Sequence, residues 1–79
     1  MRHDVKIPKW GLTIERMIIL GWTKAIGDRV EKGDGLCEVE TDKADAEIEA
    51  PVGGVLVEQL GEVGTDYRVG EVIAVIDTG

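Results

Sequence analysis

The chain has 79 residues, 43% hydrophobic and 32% charged, the make-up of one folded domain with a modest core rather than of a disordered segment. Its net charge of −7 repels phosphate backbones and argues against nucleic acid as a partner. No apolar run approaches the roughly 20 residues of a membrane span, so no membrane partner is expected either.

Phe is absent and the large aromatics are Trp10, Trp22 and Tyr67, so the core must come from Val, Ile and Leu, side chains that suit a pleated sheet. Eleven glycines bracket short runs of these residues, which points to an all-β barrel or sandwich. In chain order, strands are predicted at 4–8, 17–23, 29–31, 36–41, 46–50, 54–60, 67–69 and 72–77. Thr13 to Leu20 is the nearest approach to a helical pattern, but Met17-Ile18-Ile19-Leu20 is a continuous apolar run ending at Gly21, which favours a buried strand. The start turns polar at His3 and Asp4, and no signal or transit peptide is visible. With one cysteine, this fits a reducing compartment and a cytoplasmic, bacterial-type setting. Cys37 alternates with Leu36 and Glu38 and reads as a core or sheet residue rather than a redox group. His3 reads as a tail residue with no catalytic or metal role.

The two halves resemble each other. A shift of 37 places Gly27 on Gly64, Gly33 on Gly70, Ile18 on Val55, Leu20 on Val57, Ile26 on Val63, Val30 on Tyr67 and Leu36 on Ile73. The first strand matches at a shift of 43, with Val5 on Ile48, Ile7 on Ala50 and Pro8 on Pro51. Six extra residues therefore lie around Lys9 to Arg16. Two similar units suggest two sheets related by an approximate twofold axis in a closed sandwich. The glycines at 27, 33, 64 and 70 are expected to supply positive φ where the chain reverses.

From Glu38 to Glu49 the pattern is strand, turn, strand. Apolar residues at 37, 39, 46, 48 and 50 alternate with acids at 38, 40, 47 and 49, a half-buried hairpin with an acidic outer face. Lys43 falls near the turn, beside the turn-favouring Asp42. By itself it reads either as a solvated lysine at a loop tip or as a modification site. Six acids between Glu38 and Glu49 favour its ammonium form, which argues against a free general base or Schiff-base lysine. Neither a Ser/His/Asp nor a Cys/His set is visible, and carboxylates at strand spacing make a weak metal site.

Glu40-Thr41-Asp42-Lys43-Ala44 resembles the lipoylation motif of lipoyl domains from 2-oxo acid dehydrogenase complexes. The resemblance extends to Ile7-Pro8-Lys9-Trp10-Gly11-Leu12-Thr13, to Gly21-Trp22-Thr23-Lys24 with Gly27-Asp28-Arg29-Val30-Glu31-Lys32-Gly33-Asp34, and to Ala50-Pro51-Val52-Gly53-Gly54-Val55-Leu56 and Val69 to Ile76. It covers about residues 4 to 77. It implies a flattened barrel of two four-stranded antiparallel sheets with pseudo-twofold symmetry. Lys43 would sit at the tip of the hairpin between strands four and five, at the end opposite the termini, and Glu40, Asp42 and Ala44 would be read by a lipoyl-attaching enzyme.

The implied cofactor is lipoic acid, joined to Lys43 as an amide. The implied partners are a thiamin-diphosphate decarboxylase component, an acyltransferase core domain and dihydrolipoyl dehydrogenase. The domain would be a carrier without catalytic residues, spanning 1–79 as the N-terminal part of a larger multidomain acyltransferase chain. The loop containing Lys9, Trp10, Gly11, Leu12 and Thr13 is implied to contribute to recognition by the decarboxylase component, with Trp10 either a contact anchor or a plug closing the barrel end. Met17 and Ile18 depart from the Gly and small polar residue common in the family, Cys37 from a common Leu, and Tyr67 from a common Val. The Pro-Lys-Trp-Gly-Leu opening leans toward pyruvate- or acetoin-type complexes and away from the 2-oxoglutarate type. A biotin carboxyl carrier shares this fold, but its lysine is normally flanked by methionines. A glycine-cleavage carrier is usually longer, and an unmodified barrel adaptor is the alternative from another class.

Overall fold

The computed structural model describes residues 1–8, 16–42 and 44–79. They form eight strands: β1 (Arg2–Lys6), β2 (Arg16–Trp22), β3 (Arg29–Val30), β4 (Gly35–Glu40), β5 (Asp45–Glu49), β6 (Gly54–Gln59), β7 (Asp66–Arg68) and β8 (Val72–Asp77). Each lies within two residues of its expected position. β1 starts earlier than expected because Arg2 and His3 pair with Asp77 and Ile76 of β8, a long-range register that local pattern does not reveal.

All pairings are antiparallel and make two four-stranded sheets, ordered β1-β8-β6-β3 and β5-β4-β2-β7. The two orders are one order written twice, with β1 answered by β5, β8 by β4, β6 by β2 and β3 by β7. The hydrogen bonds repeat in the same way. Gly27 N–H donates to Leu56 O at 2.7 Å and Gly64 N–H to Ile19 O at 2.8 Å. Gly33 N–H donates to Ala50 O at 2.9 Å and Gly70 N–H to Ile7 O at 3.0 Å. These four glycines have φ of 96°, 87°, 94° and 93° in the order just given, a region that L side chains rarely enter, which is why glycine recurs there. Even the irregularities match: β2 bulges between Ile19 and Gly21, and β6 between Leu56 and Glu58.

The inner faces meet in a core of Val5, Ile7, Met17, Ile19, Val30, Leu36, Val39, Ile48, Leu56, Ile73 and Ile76, with Cys37 and Ala74 among them. Burying each large aliphatic side chain stabilises by roughly 1.5–3 kcal/mol. Cys37 is a core residue, as expected. A bulge at Gly35/Cys37 turns both Leu36 and Cys37 inward, and its counterpart in β8 does the same for Ile73 and Ala74. Trp22 Nε1–H donates to Gly61 O at 3.0 Å, and its symmetry mate Gln59 donates through Nε2 to Lys24 O at 2.6 Å, so each half is tied to a loop of the other. Gly61 is closely packed in this seam, where a β-carbon would stand 2.3 Å from Ile19 Cδ1 and the end of that side chain would have to shift.

One expectation needs correction. The run Met17 to Leu20 is not buried on both faces. Met17 and Ile19 point into the core, whereas Ile18 and Leu20 are 37% and 40% exposed. β2 belongs to a single sheet with one face on the core, so strict alternation overrides the apolar run.

Candidate functional site

β4 and β5 form a hairpin with Cys37 opposite Ile48, Glu38 opposite Glu47, Val39 opposite Ala46 and Glu40 opposite Asp45. Cys37, Val39 and Ile48 anchor it in the core, while Glu38, Glu40, Asp45, Glu47 and Glu49 are exposed. Two cross-strand pairs of like charge therefore face solvent, an arrangement that costs rather than adds stability. Among the described residues the ion pairs lie elsewhere, joining Arg2 to Glu58, Arg16 to Asp66 and the amino terminus to Asp77.

The connection between the strands runs from Thr41 to Ala44 and is clamped by Thr41. Its backbone N–H donates to Ala44 O at 3.0 Å, its Oγ1–H donates to the same oxygen at 2.6 Å, and Ala44 N–H donates to Thr41 Oγ1 at 3.1 Å. Sequence reading singled out Asp42 as the turn former and passed over Thr41. The signal was present, since a threonine hydroxyl can bond the backbone of a following turn. Asp42 and Ala44 are both exposed, and Lys43, between them in the chain, lies outside the described residues. So do Lys9, Trp10, Gly11, Leu12 and Thr13 of the expected recognition loop. Glu40, Asp42 and Ala44 are brought together at this turn. The twofold exchanges it with the corner where the chain ends meet, where Thr78 N–H donates to Met1 O at 2.8 Å.

Beside the turn lies an open groove of about 370 Å³, lined by Arg16, Met17, Ile18, Glu40, Thr41, Asp42 and Asp66. Cys37 is not part of this surface. Burial, with the nearby Glu47 carboxylate, pushes its thiol up to about 12, so it stays protonated and inert. Among the described residues no group of three or more His, Cys, Asp or Glu side chains could hold a metal ion.

What the hairpin can do is hold one turn rigidly at the surface with small or polar neighbours. That suits a prosthetic group carried on a side chain and worked on by other proteins. Comparison with known proteins agrees. Residues 3–76 match the biotin/lipoyl family model described as "Biotin-requiring enzyme". The chain is 39% identical over 77 residues, 98% of its length, to the dihydrolipoyllysine-residue acetyltransferase component of the acetoin cleaving system of Pseudomonas putida. It is 40% identical over 76 residues, 96% of its length, to the dihydrolipoyllysine-residue succinyltransferase component of the 2-oxoglutarate dehydrogenase complex of Staphylococcus saprophyticus. It spans 21% and 18% of those two relatives. The solution structure of the lipoyl domain of the 2-oxoglutarate dehydrogenase complex from Azotobacter vinelandii superposes with a TM-score of 0.72 at 27% identity, covering 96% of this chain and 98% of that one.

A symmetric double sheet that displays one clamped turn is the scaffold of a prosthetic-group carrier, and the chain belongs to the biotin/lipoyl family. Within that family it is a lipoyl domain of the kind found in dihydrolipoyllysine acyltransferases, a family and set of relatives consistent with covalently attached lipoic acid.

Proposed function

We propose that Lys43 is the lipoyl-bearing residue and that the domain is the mobile carrier of a larger acyltransferase chain. The observation that supports this is the Thr41–Ala44 clamp, which fixes the residues on both sides of position 43 at the exposed tip of a core-anchored hairpin. A lipoyl-attaching enzyme would read Glu40, Asp42 and Ala44 around it. There the lysine ammonium would lose one proton to become a nucleophile, and its Nζ would displace the activating group from the carboxyl carbon of lipoic acid and lose a second proton as the amide forms, which removes the positive charge. When bound, the lipoyl group would supply a reducible disulfide able to carry an acyl group, and the partners proposed to work on it are a thiamin-diphosphate decarboxylase component, an acyltransferase core that uses coenzyme A and dihydrolipoyl dehydrogenase. The protein contributes the tether and the address, and tethering keeps the intermediate at high local concentration. The loop of Lys9, Trp10, Gly11, Leu12 and Thr13 is the proposed contact for the decarboxylase component. The acetoin- and 2-oxoglutarate-system relatives are equally similar, so the choice of a pyruvate- or acetoin-type complex rests on the Pro8-Lys9-Trp10-Gly11-Leu12 opening.

The test is incubation with a lipoyl ligase, lipoic acid and ATP, followed by intact mass. The wild-type chain gains one lipoyl group and Lys43→Arg gains none. A lipoyl adduct on Lys43→Arg, or a biotinyl adduct on wild type from its native host, would overturn the assignment.

A further inference from the structure

The groove beside the β4–β5 turn has a symmetry mate. At the corner where the chain ends meet, a groove of about 380 Å³ is lined by Arg29, Val30, Gly53, Gly54, Val55 and Asp77, among others. The shift of 37 that relates the two halves carries Gly53, Gly54 and Val55 onto positions 16, 17 and 18. One backbone frame has therefore been furnished in two ways. The groove at the chain ends has two glycines where the groove at the turn has Arg16 and Met17, and Val55 there is answered by the larger Ile18. Met17 is buried, but Ile18 leaves 37% of its surface open beside Thr41 and Asp42. Arg16, ion-paired to Asp66 at 3.4 Å, supplies a polar rim.

We propose that this groove is a resting site for the lipoyl arm of the same domain, with the hydrocarbon stretch of the arm covering Ile18. The inference rests on the assignment of the lipoyl group to Lys43. The occupant follows from connectivity and chemistry. Thr41 and Asp42 form one wall of the groove, and Lys43 is the next residue in the chain. The arm is a lysine stem joined to an eight-carbon acid, neutral and largely apolar once the amide has formed. It therefore gains from covering an aliphatic side chain and, being neutral, meets no charge repulsion from the surrounding carboxylates, which keep their contact with water in a groove this open. A short tether holds its free end at about millimolar effective concentration, so a site of only millimolar affinity is filled about half of the time. The arm then alternates between its own domain and solution, and each partner active site competes with the groove for it.

The test uses the lipoylated domain, its modification at Lys43 verified by mass, with 13C-labelled isoleucine methyls and a 13C-labelled lipoyl chain. Nuclear Overhauser contacts are expected between the Ile18 methyls and the arm, together with a shift of the Ile18 resonances on lipoylation. No such change is expected at Ile26, an equally observable exposed isoleucine. In Ile18→Ser the arm should relax as a free chain, losing at least half of its added order. Contacts absent from the wild-type domain, or arm relaxation unchanged in Ile18→Ser, would overturn the resting site while leaving Lys43 as the attachment point. Failure of Lys43 to be lipoylated at all would overturn both.

Discussion

Replacing Cys37 with alanine should change how stability depends on alkaline pH. The thiol is fully buried where the β4 bulge turns it inward, and burial together with Glu47 lifts its pKa from 9.0 to about 12. In the unfolded chain it ionises near its ordinary value, while in the folded chain it stays protonated. The folded pKa is the higher one, so the stability the thiol confers is complete below pH 9 and is lost as pH rises toward 12. Each pH unit in that window removes about 1.4 kcal/mol, so the penalty reaches about 3 kcal/mol by pH 11. Cys37→Ala lacks the titration and should hold the fold, because its symmetry mate Ala74 already fills the equivalent buried place. Urea unfolding followed by tryptophan fluorescence, run on both proteins from neutral pH to pH 11, reads the difference directly. Wild type should lose stability relative to the variant above pH 9. Parallel curves through pH 11 would refute the reasoning by showing that the buried thiol is not held protonated by the fold.

Two further perturbations follow from the sheets. Gly54→Ala would set a β-carbon 2.3 Å from Asp77 O, a backbone atom that cannot swing aside, so it should cost about 1–3 kcal/mol in urea unfolding; wild-type stability would contradict the packing of β6 against β8. Glu38→Lys faces Glu47 across β4 and β5 and should add about 0.2–1 kcal/mol, with the gain shrinking at high salt, as thermal unfolding at two salt concentrations would show.

The fold was legible because its punctuation is repeated. Gly27, Gly33, Gly64 and Gly70 take positive φ at symmetry-related reversals, and a requirement that glycine meets far more readily than other residues leaves a trace in the sequence. The acidic alternation around Val39 and Ile48 marked the hairpin for the same reason, since one face is wet and the other dry. What escaped was information held between segments. The outward turn of Ile18 and Leu20 depends on β2 having a sheet on one side only, which an apolar tetrapeptide does not encode. The bond from Trp22 to Gly61 and the bulges that bury Cys37 beside Leu36 arise from pairing partners far along the chain. At the site, the motif around Lys43 marked the turn, but the hydroxyl clamp of Thr41 emerged only with the hairpin closed.

The central claim is that the amine at position 43 carries the lipoyl group, and a tryptic map of the chain after lipoylation tests it most directly. An acylated lysine is not cut by trypsin. The account predicts one peptide running from Gly33 to Arg68 that bears the lipoyl mass, in place of the separate peptides Gly33–Lys43 and Ala44–Arg68. Cleavage after Lys43, with the added mass on another lysine or missing altogether, would contradict it.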